Sequence, residues 1–120
     1  MLKNILLVAL GGSAGSVLRY LCNIAVKNHP FPYATLAINI IGSFLIGIIL
    51  AWASRNEDTE AMRLLFATGI CGGFTTFSAF SYENIMLIQA GKLNLALLYI
   101  LLSVTAGIAA AWLGYKLINT

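Results

Sequence analysis

The sequence predicts an all-α integral membrane protein of four transmembrane helices, the third of them broken around residues 72–78. Composition is the first reason: of 120 residues, 60% are hydrophobic and only 9% are charged. A soluble domain carries about a quarter charged residues, because its surface faces water. A small one also leaves a large part of its area exposed. Lipid is the solvent that makes this composition reasonable. The second reason is the arrangement of the apolar residues into four stretches separated by short polar links. The third is Gly72-Gly73-Phe74-Thr75-Thr76-Phe77-Ser78, which puts weak helix formers in the middle of a span.

A helix needs about 20 residues to cross a hydrocarbon core of about 30 Å. Residues 5–26, 33–53, 62–88 and 95–118 satisfy that requirement. The first begins like a signal peptide, with Lys3 before an apolar run, but the run is too long and contains Arg19. It is therefore read as a mature helix. The link at 27–32 holds Pro30 and Pro32, which stop a helix. The second link carries Arg55, Glu57, Asp58 and Glu60 and is the most water-loving part of the chain. The third contains Gly91 and Lys92. No length remains for a soluble domain, so residues 1–120 read as one transmembrane unit.

The net charge of +3 comes without any basic run, so nucleic-acid binding is not expected. Most cations sit at span ends, where they anchor and orient. Lys3, Arg55, Arg63 and Lys116 fall on one side, and Lys27 and Lys92 on the other. That bias is weak and is compatible with insertion in both directions. Cys22 and Cys71 lie inside spans and read as small hydrophobes rather than a disulfide. His29 has no metal-ligand company. Trp112 and Tyr115 fit an interfacial aromatic belt.

Polar residues inside spans are expensive in hydrocarbon and therefore informative. In the first span, Gly11 and Gly15 have the GxxxG spacing that brings helices close. Arg19 either snorkels to the interface or presents a charge at an aqueous vestibule. Thr35, Asn39, Ser43 and Gly47 recur every four residues, a polar stripe on one face of the second span. The stripe is either helix glue or a line of donors along a pore. Backbone freed at the break in span 3 must be buried in protein or bind something. Phe77 and Phe80 follow on one face, where ring edges can contact an anion or simply pack. Glu83 is the only carboxylate within a span; it can cap a helix, bind a proton or pair with a cation such as Arg19. Tyr99, Ser103 and Gly107 repeat the i+4 spacing in span 4. With no phosphate-binding loop, Ser/His/Asp set or paired carboxylates, enzyme chemistry has little to work with. A conduit is the better expectation.

Gly11-Gly12-x-x-Gly15-x-x-x-Arg19-Tyr20, Thr35-Leu36-x-x-Asn39-x-x-Gly42-Ser43-Phe44 and Gly69-x-x-Gly72-Gly73-Phe74-Thr75-Thr76-Phe77-Ser78-x-Phe80 resemble the Fluc (CrcB) fluoride channel family. The resemblance covers essentially the whole chain. It implies a passive channel that lets fluoride leave the cytoplasm across the cell (inner) membrane of a microbe, protecting against fluoride toxicity. It also implies an antiparallel dual-topology homodimer with two pores around a structural sodium ion. By position, the carbonyls of Gly72 and Thr75 would hold that sodium. Phe77 and Phe80 match the pore phenylalanines, Asn39 the pore asparagine and Arg19 the vestibule arginine. Ser78, Tyr99 and Ser103 match hydroxyls of a polar track, and Glu83 a glutamate near the pore end. Ala79 and Gly107 depart from the pattern, each standing where a hydroxyl is usual, and both thin the track.

Two other readings share the outline. A small multidrug exporter is also a four-span chain, but it depends on a carboxylate in the middle of span 1, and none is present. A structural membrane protein would use the polar stripes only as helix glue.

Overall fold

The computed structural model describes residues 1–27 and 29–119. Among them, four helices are long and apolar enough to cross a membrane: Leu2–Ala25, Tyr33–Ser54, Glu60–Gln89 and Leu93–Ile118. The long axis of the molecule, 51 Å, exceeds the about 40–45 Å of a bilayer with its headgroups. Among the described residues every regular element is a helix.

The first helix, α1 (Leu2–Ala25), runs until the proline-containing link. Pro32 then stands just before α2 (Tyr33–Ser54), where its missing N–H costs nothing. The third span is composite. A short α3 (Glu60–Met62) passes into a π-helical stretch, Arg63–Cys71, and then into α4 (Gly72–Phe74). The chain leaves the helix at Thr75 (φ −80°, ψ 155°) and Thr76 (φ −151°, ψ 126°), both extended. It resumes as α5 (Phe77–Gln89), and α6 (Leu93–Ile118) completes the bundle.

The turn between α5 and α6 follows a Schellman pattern. The Lys92 N–H donates to the Leu87 carbonyl and the Gly91 N–H to that of Ile88, at 2.9 and 3.0 Å. Gly91 has φ +77°, a left-handed conformation that glycine adopts without a side-chain penalty. Polar contacts also tie the opposite end together. Asn4 donates to Glu60 at 2.9 Å, and Arg55 bonds the Ile118 carbonyl at the end of α6.

Two close helix pairs build the bundle. α1 lies against the π-helical stretch and α4, and α2 lies against α6. Small residues make both contacts possible. A β-carbon on Gly11 would strike the Leu65 carbonyl, and one on Gly15 that of Ile70. Between α2 and α6, a β-carbon on Gly47 would strike the Ala111 carbonyl, and one on Gly114 that of Phe44. Gly47 thus leaves the polar stripe of α2 and serves helix packing. In lipid, where apolar side chains gain little by leaving the solvent, such backbone approach is a main source of helix association. Near the exit of α6, the Trp112 and Tyr115 rings stack 6.2 Å apart, with the Lys116 ammonium 4.9 Å from the Trp112 ring centre.

Candidate functional site

The two extended threonines interrupt a helix inside an apolar span, so their backbone groups need partners that the helix no longer supplies. Neighbouring helices supply them. From α2, the Asn39 amide exchanges two hydrogen bonds with Thr76: the Thr76 N–H donates to Oδ1 at 2.9 Å, and Nδ2 donates to the Thr76 carbonyl at 3.2 Å. From α1, Arg19 Nε donates to the Gly73 carbonyl at 3.2 Å. The Thr76 hydroxyl accepts from the Ala79 N–H at 3.1 Å, which makes Thr76 the N-cap of α5. Thr75 turns back, its hydroxyl and N–H both donating to the Cys71 carbonyl at 2.8 and 3.0 Å. Because the Thr76 N–H goes to Asn39, the Gly72 carbonyl lacks its helical partner.

Beside this link lies a cavity of about 380 Å³, open on one side. Asn39, Ser43, Thr75, Thr76 and Ser103 give it polar groups, and Phe77 and Phe80 give it aromatic walls. Among the described residues, none that lines it carries a formal charge. Ser103 Oγ is buried and, among the described residues, has no hydrogen-bond partner. The Phe77 and Phe80 rings stand 5.6 Å apart at 43°, and Phe80 meets the Tyr99 ring at 4.9 Å. Phe77 is 78% exposed, so this wall of the cavity also faces outward.

A second polar cluster sits beyond Phe80. Glu83 accepts from the Thr35 hydroxyl at 2.8 Å and from the Tyr99 hydroxyl at 2.9 Å. Thr35 is 1% and Tyr99 0% exposed, so three helices, α2, α5 and α6, meet on one carboxyl group. The Phe31 ring closes this cluster from the first link, 5.5 Å from Tyr99. Beyond it a second cavity, of about 340 Å³, is lined by Asn23, Lys27, His29, Glu83 and Lys92 among others. Lys27 and Lys92, on two separate links, therefore flank one opening.

The structure divides the residues that the sequence singles out. Asn39, Ser43, Phe77, Phe80 and Ser103 line the first cavity together with Thr75. Thr35, Tyr99 and Glu83 form the separate cluster, with both hydroxyls turned to the carboxyl group. Ser78 lies 3.2 Å from the Thr76 hydroxyl and is exposed. Arg19 and Glu83, possible partners by sequence, bond to different groups: Arg19 to Gly73, Glu83 to Thr35 and Tyr99. Thr76, which the sequence marks as part of the break but not as a site residue, joins Asn39, Ser78 and Ala79. Its signal was the Thr-Thr pair at the break, where a hydroxyl can cap the helix that follows. Cys71 and Val104 also line the cavity, and nothing in their spacing marks them out.

Four membrane-crossing helices, three of which line an uncharged polar cavity, define a multi-pass membrane protein with the makings of a conduit. Residues 6–115 match the family described as CrcB-like protein, Camphor Resistance (CrcB). The chain is 45% identical over 121 residues to the "Fluoride-specific ion channel FluC" of Azobacteroides pseudotrichonymphae, covering 98% of this chain and 97% of the relative. It is 46% identical to the protein so named from Agrobacterium fabrum, over 95% and 94% of the two chains. For one from Thermus thermophilus the identity is 44%, over 97% and 95%. The chain belongs to the CrcB family.

Proposed function

We propose that this protein is a passive fluoride channel of a bacterial membrane, a transporter rather than an enzyme. The names of its relatives support that reading. The observation that carries it in this chain is the chemistry of the first cavity. Fluoride is small and strongly hydrated, so a narrow pore must replace its water with many donors. A fixed positive charge would do so but would hold the ion too tightly to pass it on. The cavity instead offers an amide, hydroxyls and two phenylalanine rings, whose edges carry partial positive charge, with no charged residue among the described lining. The unpartnered Ser103 hydroxyl keeps a proton for such an ion.

In this reading residues 1–120 form one channel domain. Phe77, Phe80, Asn39, Ser43 and Ser103 contact the ion. Ser78 extends the donor set, and the Thr35–Glu83–Tyr99 cluster separates the two cavities. The lysine-flanked opening concentrates anions by its field.

The exposed Phe77 face calls for a cover, and a second copy in antiparallel orientation provides it, giving two pores per dimer. A sodium ion suits the break. The Gly72 carbonyl lacks its helical partner, and carbonyl oxygens are the ligands a hard cation prefers. Gly72 and Thr75 of each copy would then hold the ion at the dimer centre, where it neutralises carbonyl dipoles and joins the subunits. The protein's work in the cell is to let fluoride leave and so limit its toxicity.

The test is fluoride efflux from liposomes containing the purified protein, measured beside chloride. Fluoride should leave much faster than from empty vesicles, and chloride should not. Efflux equal to that of empty vesicles, with the protein folded, would remove the channel reading.

A further inference from the structure

We infer that Asn39 is a positioning residue: by exchanging two hydrogen bonds with the Thr76 backbone it fixes the link between α4 and α5, and with it the stance of Phe77 and Phe80. The inference deepens the channel reading and rests on it for the meaning of the aromatic pair, but the geometry stands by itself.

A primary amide presents an acceptor and a donor side by side, as a peptide unit does. Thr76 is extended, with φ −151° and ψ 126°, and an extended residue presents its N–H and carbonyl in the same direction. Asn39 therefore pairs with Thr76 as one strand residue pairs with another, at 2.9 and 3.2 Å. The pairing also fixes which end of the amide is which, because the N–H requires oxygen and the carbonyl requires nitrogen. With both ends committed, the amide plane cannot turn to follow a moving ion, and one N–H remains for other use.

What Asn39 holds has consequences one residue later. Thr76 is the N-cap of α5 through its own hydroxyl, so its backbone orientation sets the direction in which that helix starts. Phe77 is the first residue of α5, and Phe80 follows a turn later. On the other side of the link, Arg19 holds the Gly73 carbonyl, and the Thr75 methyl fills the space over Gly42 that a β-carbon there would need. α1 and α2 thus supply, through two side chains, three hydrogen bonds to the backbone of the interrupted helix.

The experiment reads the Thr76 amide directly, by hydrogen exchange and backbone NMR of the full-length protein in fluoride-free micelles. Asn39→Ala should raise exchange at Thr76 about fivefold or more and move the Phe77 and Phe80 amide signals, leaving α6 unchanged. Asn39→Asp keeps the acceptor for the Thr76 N–H but not the donor for its carbonyl. It should keep Thr76 exchange within about twofold of wild type while still moving the Phe77 signal. If Asn39→Ala does not fold, Asn39→Ser takes its place in the comparison. Thr76 exchange unchanged in the folded Ala or Ser variant would overturn the inference, even if fluoride flux were lost, since Asn39 would then serve the ion alone. A wild-type protein that fails to conduct fluoride would defeat the channel reading without touching the exchange result.

Discussion

Glu83 accepts hydrogen bonds from two hydroxyls that are almost wholly buried, and the three side chains lie on three different helices. Removing one partner of a buried hydrogen bond costs about 1–3 kcal/mol, more than the bond's net contribution. Tyr99→Phe leaves the packing area and deletes only the hydroxyl. It should lower the unfolding free energy in detergent by that amount, and a stability equal to wild type would show that Glu83 finds another donor. Phe80 is the opposite case, a side chain whose loss should spare the fold. Its ring forms a cavity wall and packs on Tyr99, so Phe80→Ile keeps bulk while removing the ring edge. Fluoride flux should fall at least about tenfold with the assembly intact on size exclusion; undiminished flux would show that the ring edge is not needed.

At the scale of elements, the membrane helices are held by close backbone approach, and the glycines divide accordingly. Gly15 faces the third span so closely that a β-carbon would meet the Ile70 carbonyl, whereas Gly12, three residues away, has open space. Gly15→Val should therefore destabilise the protein by about 1–3 kcal/mol through overpacking. Gly12→Ala should stay within about 0.5 kcal/mol of wild type. The pair is measured by thermal unfolding of both variants in one detergent; equal effects would mean that α1 does not pack as described. The four spans were legible as elements because hydrocarbon demands about 20 apolar residues in a row and tolerates little else. The π-helical stretch Arg63–Cys71 was not legible. A π turn differs from an α turn by one hydrogen-bond register, and an apolar run of this length does not distinguish the two.

For the whole molecule, the exposed Phe77 face and the Gly72 carbonyl without its helical partner lead to one expectation. Purification with sodium replaced by an organic cation should shift the assembly towards monomer, as read by crosslinking or light scattering. An assembly indifferent to sodium would leave Gly72 and Thr75 without the proposed role. The second cavity adds a salt effect. Lys27 and Lys92 flank its opening, and their pull on anions is screened over about 10 Å at 0.1 M salt. Fluoride flux at low fluoride should accordingly fall as an inert salt is added, and Lys27→Gln should flatten that dependence.

That this chain lives in lipid, crosses it four times and belongs with the CrcB family could be read before any contact was known. Each of those properties is written in composition, in run length or in local motifs. Most of the polar residues that matter were marked in the same way, because a polar side chain in hydrocarbon stands out whatever it touches. What it touches is a property of the folded bundle. Asn39 gives its amide to Thr76, Arg19 reaches the Gly73 carbonyl, and Thr35 and Tyr99 turn to Glu83. Spacing along one helix says which side chains share a face, but not which backbone group on another helix lies opposite. In lipid that opposing group decides the matter, because no water is present to serve as an alternative partner.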